Sequence, residues 1–367
     1  MPGRPYRWLV STRSRGRRLL AALATLAALG ACGTAPARVT APSAAAATTA
    51  PASPSASPSP PGDITLAFAG DVHFTERTAK LLSDPAHAFG PIIPVLSAAD
   101  LTMVNFESAV TDRGTAQPKE FHFRTPPSAF DAIRAAGIDV VTFANNHSLD
   151  YGQVGLADTL SAVQAAKVPY VGIGANADAA WRPWVTTIKG RRIAVIGVSQ
   201  VDELAASWVA TATRPGQAHA IDLARTLAAV RAARASADVV IVFMHWGTEG
   251  NPCPNGDQKS LATKLAGAGA DIIVGAHAHT LQGNGWLGKT FVAYGMGNFL
   301  WWLKSYSTET GVLTLTLHPD RPLTAQFQPA VVSDTGQPVP ATGADATRIS
   351  NRYASLRTCA GLAAARS

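Results

Sequence analysis

The chain has 367 residues, a formal net charge of +7, and 15% charged against 47% apolar residues. That length and apolar fraction suit a packed core and exclude a disordered chain. Six arginines and no acid fall in residues 1–31; without them 25 basic residues face 24 acidic ones, a net of +1, so no nucleic-acid footprint remains.

Residues 1–31 read as an export signal. Arg13, Arg15, Arg17 and Arg18 precede an apolar stretch, 19–29, that is too short for a stable membrane span. It ends in Leu29-Gly30-Ala31-Cys32, which resembles a bacterial lipobox. Cleavage before Cys32 and lipidation of its thiol would anchor the protein to the outer face of the cell membrane. Residues 32–62 are nearly all Ala, Pro, Ser, Thr and Gly and are expected to form a disordered tether. In a polyproline conformation it would reach roughly 90 Å from the lipid. With Cys32 lipidated, Cys253 and Cys359 are an even pair in an oxidising compartment, and a disulfide between them is expected; two unpaired thiols are the alternative.

From residue 63 to 332 no linker interrupts the chain, which predicts one large α/β domain; 333–367 reads as a C-terminal tail. Apolar runs predict strands at 64–69, 101–105, 140–144, 170–173, 192–198, 239–244, 272–275, 291–294 and 311–317. Helical spacing and stop signals predict helices at 128–136, 152–166, 223–235 and 258–268. This alternation predicts sheets covered by helices, with functional groups beyond the strand ends.

Six polar clusters punctuate the pattern. They are Gly70-Asp71-Val72-His73, Asn105-Phe106-Glu107, Asn145-Asn146-His147 with Asp150, His245-Trp246-Gly247, His277-Ala278-His279 after Gly275, and Gly297-Asn298. Carboxylates mixed with imidazoles and an amide suit Mn, Fe or Zn in a reactive site better than a thiolate-rich structural one. Asp71 and His73 alternate in an extended segment, so both can face one ion. Glu107 can bridge two ions through its two oxygens. Asp150 can take the second ring proton of His147 and so orient it. Taken alone, each cluster has an ordinary reading: a capping acid, an Asn-rich turn, a hydrogen-bonded core histidine. The ordered combination is the signal. His87, His122, His219 and His318 lie outside it.

These clusters, with Ser148-Leu149-Asp150-Tyr151-Gly152, Thr248-Glu249 and Tyr294-Gly295-Met296-Gly297-Asn298-Phe299, resemble the CapA family of poly-γ-glutamate capsule proteins. That family is similar to calcineurin-like metallophosphoesterases. The resemblance implies a four-layer αββα sandwich of the metallophosphatase type with two divalent ions. It implies one ion at Asp71, His73, Glu107 and His279, and a second at Glu107, Asn146, His245 and His277. His147 would then be an acid outside the coordination shell, supported by Asp150. Glu107 stands where phosphoesterases usually have Asp, and His73 where many capsule-family members have an apolar residue.

The implied role is biosynthesis, export or anchoring of poly-γ-glutamate or a related anionic envelope polymer. The chemistry would be hydrolysis or transfer of an amide or phosphoester bond. A non-catalytic, metal-dependent polymer-binding or export module and a general envelope metallophosphoesterase are the alternatives. A membrane synthetase or export complex is the partner class this implies. No nucleotide-binding loop is present, which argues against ATP-driven synthesis by this chain alone. Trp246, Trp286, Trp301 and Trp302 are candidates to line a polymer groove, with core packing as the ordinary reading.

Overall fold

The structure, a computed structural model, describes residues 62–367. The expected signal peptide, Cys32 and nearly all of the tether lie outside the described residues. Among the described residues, no helix is long and apolar enough to cross a membrane.

Two sheets carry the fold. The first runs edge to edge through Pro338–Pro340, Thr324–Val332, Glu309–Leu317, Ile64–Val72, Leu101–Phe106, Val140–Thr142 and Tyr170–Val171, with Asn298–Leu300 also paired to Ile64–Val72. The second runs through Asn284–Leu287, Thr290–Ala293, Ile272–His277, Val239–Trp246, Arg191–Ser199 and Trp184–Ile188. The central strands of each sheet are parallel.

Parallel strands buried on both faces read as continuous apolar runs, and their alternation sorts side chains into layers. Along Val239–Trp246, Val239, Ile241 and Phe243 face the core between the sheets. Val240, Val242, Met244 and Trp246 face outward, against Val230, Leu261 and Leu265 of the helices Leu223–Ser236 and Gly256–Ala268. On the first sheet, Leu66 and Phe68 face inward, while Ala67 and Ala69 meet Phe130, Ile133, Leu156 and Val163 of Ala129–Ala135 and Gly152–Ala166. The result is helix, sheet, sheet, helix: a four-layer αββα sandwich.

Residues 333–367 do not form a separate tail. Pro338–Pro340 adds an edge strand to the first sheet. The helix Gly343–Ser355 buries Ile349 and Tyr353 in the core between the sheets, with the Tyr353 ring 4.3 Å from Phe327. The helical spacing of those two apolar residues in a polar segment was the available signal. A disulfide joins Cys253, in the loop after Val239–Trp246, to Cys359 in the last helix, 106 residues away.

Closing a loop of that length restricts the unfolded chain strongly. Replacing both cysteines by serine is expected to cost about 2–4 kcal/mol in urea unfolding. An unchanged midpoint would show that the bridge does not contribute.

Candidate metal centre

The parallel strands of both sheets end on the same side, and their carboxyl ends carry the polar clusters. Asp71 is the penultimate residue of Ile64–Val72, where the pairing register with Asn298–Leu300 shifts. Gly70 allows this crossing: a Cβ there would lie 1.8 Å from the Gly297 carbonyl oxygen, which accepts the Asp71 N–H at 3.0 Å. Glu107 follows Leu101–Phe106, His245 and His277 lie at the ends of their own strands, and His279 is two residues further on.

The structure brings these groups together under cover. Asp71, Glu107 and His245 are fully buried, and Asn146, His277 and His279 nearly so. Donor atoms of Asp71, Glu107 and His279 lie within 4.8 Å of one another. His279 Nδ1 is 3.2 Å from Asp71 Oδ2, and His245 Nε2 is 2.8 Å from Asn146 Oδ1. Glu107 Oε1 faces two imidazole nitrogens, His147 Nε2 at 3.6 Å and His245 Nε2 at 3.9 Å, beyond hydrogen-bond distance.

Three observations fit this set to cations. Glu107 Oε1, His277 Nδ1 and His73 Nε2 are buried polar atoms without a hydrogen-bond partner, an arrangement folded proteins seldom tolerate. Burial, followed by the Asp71 charge, pushes the Glu107 carboxyl well above its ordinary value, so the site lacks positive charge. Burial also drives His73, His245 and His277 well below the usual imidazole value, leaving the rings neutral, the form in which imidazole binds a metal. His277 and His279 adopt φ values of 86° and 52°, a strained conformation for non-glycine residues that concentrates at functional sites.

His73 sits differently from the other expected ligands. Its ring stacks on Phe123 at 4.4 Å and meets the edge of Trp301 at 4.3 Å. Its Nδ1 accepts the Thr75 N–H at 3.2 Å, which places the proton of the neutral ring on the unpaired Nε2. A metal at Nε2 would require that proton to move. His73 is the weakest fit of the expected set.

His147 and Asp150 form the dyad anticipated from their spacing: Nδ1 and Oδ2 are 2.7 Å apart, with both groups buried. Asp150 also accepts the Phe123 N–H at 2.6 Å. The neutral ring therefore keeps its proton on Nδ1 and presents the Nε2 lone pair towards Glu107. Burial lowers the His147 pKa, while Asp150 opposes the shift.

A profile described as bacterial capsule synthesis protein PGA_cap matches residues 65–301. The chain belongs to this family. It is 31% identical to the capsule biosynthesis protein CapA of Bacillus anthracis, over 65% of this chain and 59% of that protein. It is also 31% identical to the PGA biosynthesis protein CapA of Bacillus subtilis, over 65% of this chain and 63% of that one. The match thus spans about six-tenths of the length of those relatives. Among solved structures, a phosphatase from Mycoplasma pneumoniae is 14% identical, covering 74% of this chain and 94% of its own with a TM-score of 0.48.

Several residues that sequence reasoning did not assign hold the centre in place. Asn105 Nδ2 lies 2.8 Å from Asp71 Oδ1, 3.1 Å from Glu107 Oε2 and 3.2 Å from His245 Nδ1. Its own oxygen accepts from Asn145 Nδ2 at 3.0 Å, which fixes which way the amide faces. Asn298 Oδ1 stands 2.9 Å from His279 Nδ1. The asparagines were visible in the motifs, but their orienting roles require the packed sheets. Phe123 lies between His73 and His147, stacked on both. Of the tryptophans, Trp246 is core, donating to the Tyr294 carbonyl at 2.8 Å, and Trp286 packs on Phe291; Trp301 and Trp302 stand at the site beside His73.

Lys119 is the largest omission. Its side chain is only 2% exposed, with Nζ 3.0 Å from Asp150 Oδ1 and 2.8 Å from Glu203 Oε2. It also donates to the Asn146 carbonyl. No local pattern marks a lysine that finds its partners 31 and 84 residues away. Removing it would leave Asp150 buried without its cation. Lys119→Met is expected to destabilise the protein by roughly 3 kcal/mol in urea unfolding; an unchanged midpoint would contradict this role.

Proposed function

We propose that this chain acts in the biosynthesis, export or anchoring of poly-γ-glutamate or a related anionic envelope polymer. In this reading it is exported and lipid-anchored through Cys32, and it hydrolyses or transfers an amide or phosphoester bond. The observation that carries the reading is the buried convergence of Asp71, Glu107, Asn146, His245, His277 and His279, whose unpaired atoms lack a counter-charge. The polymer is supported by membership of the family and by the names of the two Bacillus relatives.

One ion would be held by Asp71, Glu107 and His279, with His73 joining them only if the proton on its Nε2 moves, and the other by Glu107, Asn146, His245 and His277. Two divalent ions there would acidify a water molecule and take up negative charge on the attacked group. The protein does the rest. The two amide hydrogens of Asn105 orient Asp71 and Glu107, with His245 Nδ1 beside them. Asp150 holds the His147 ring with Nε2 facing the centre and stabilises the ring when charged, so a protonated His147 can pass its proton to a leaving group. Phe123 and Trp301 wall the His73 side and limit water there.

The test pairs metal content with turnover of a chromogenic phosphodiester and of poly-γ-glutamate. Two transition metals per chain and turnover of one substrate are expected. His277→Ala should lose metal and turnover together. His147→Ala should keep the metal and lose about 100-fold or more in turnover. Two metals without turnover of either substrate would instead favour the polymer-binding or export role, and a chain without metal would reject the centre.

A further inference from the structure

Glu249 lies in the loop after Val239–Trp246, two residues beyond Gly247. A carboxylate oxygen of Glu249 and one ring nitrogen each of His277 and His279 lie within 4.8 Å of one another. An exposed acid near two histidines is ordinarily a solvated side chain. Four features distinguish this one. The Gly250 N–H donates to the Ala278 carbonyl at 2.8 Å, so the loop is hydrogen-bonded to the backbone between the two histidines. The Cys253–Cys359 disulfide holds the same loop a few residues on. Tyr306 donates its hydroxyl to Glu249 Oε2 at 2.7 Å, and its ring stacks over His279 at 6.0 Å. His277 is 6% exposed, and its Nδ1 is buried with no partner.

The electrostatics agree with the geometry. Glu249 is close enough to add to the upward push on the Glu107 carboxyl, after burial and Asp71. His279 is shared: its ring lies near Glu249 and His277 on one side and near Asp71 and Glu107 on the other. Asp71 and Glu107 are fully buried, whereas Glu249 reaches the site from solvent.

We propose that Glu249 is a further ligand of the metal centre, held by Tyr306 on its solvent side beside His277 and His279. The inference rests on the metal-centre reading above. Glu249 is then the ligand that shares its position with an arriving anionic group, because it alone of the three carboxylates is reached from outside. A carboxylate-bearing substrate would compete with it for the same cation.

The experiment is an equilibrium titration of the full chain with Mn²⁺, together with the visible absorption spectrum of the Co²⁺-loaded protein. Wild type is expected to bind two ions. Glu249→Gln preserves shape and should bind one of them about 10-fold or more weakly, with an altered Co²⁺ spectrum. Glu249→Asp should recover part of the affinity, and Tyr306→Phe should weaken binding by a smaller factor. Two ions at wild-type affinity with an unchanged spectrum in Glu249→Gln would overturn the assignment of Glu249 and leave the centre standing. A wild-type chain that binds no ion would overturn the centre itself.

Discussion

The rest of the site depends on one electrostatic constraint: two fully buried carboxylates, Asp71 and Glu107, face imidazoles that burial keeps neutral. Leaving such charge uncompensated in a low-dielectric interior costs several kcal/mol per ion. Lys119 offsets only a small part of this charge, because Asp150 and Glu203 already engage it. A cation held by the same groups resolves the imbalance, and it also accounts for the partnerless Glu107 oxygen and His277 nitrogen.

The fold is arranged to permit this concentration of polar groups. Parallel strands deliver their carboxyl ends to one side of each sheet, and the two sheets face one another across an apolar core. Asp71 and Glu107 come from the first sheet, His245 and His277 from the second, so the centre lies where the sheets meet. Gly70 lets the Ile64–Val72 strand approach the Gly297 backbone without a clash. Asn105 then holds Asp71 and Glu107 through a single amide, with His245 Nδ1 of the other sheet 3.2 Å from the same nitrogen. Preorganisation of this kind fixes ligand positions before any ion arrives.

Much of the architecture was legible in the chain. Buried parallel strands need apolar residues on both faces, so runs such as 239–244 stand out, and helices between them read by their spacing. Five of the six polar clusters were legible for the same reason, because each follows such a run at its end; Gly297-Asn298 instead opens the short strand Asn298–Leu300. The Thr324–Val332 strand was missed because its first half is exposed and breaks the apolar run, and the segment after Val332 read as only mildly helical, with no sign that Ile349 and Tyr353 enter the core. Lys119, Phe123 and Tyr306 lie on irregular segments and acquire their roles only through contacts distant in sequence. His73 shows the opposite limit: the D-x-H spacing is compatible with a ligand, yet the ring is committed to Phe123, Trp301 and the Thr75 N–H.

The most direct test of the central claim is anomalous diffraction from crystals of the protein grown with Mn²⁺. The account predicts two metal peaks that share Glu107 as a neighbour, one beside Asp71 and His279 and the other beside Asn146, His245 and His277. No peak, or a single peak away from Glu107, would contradict it.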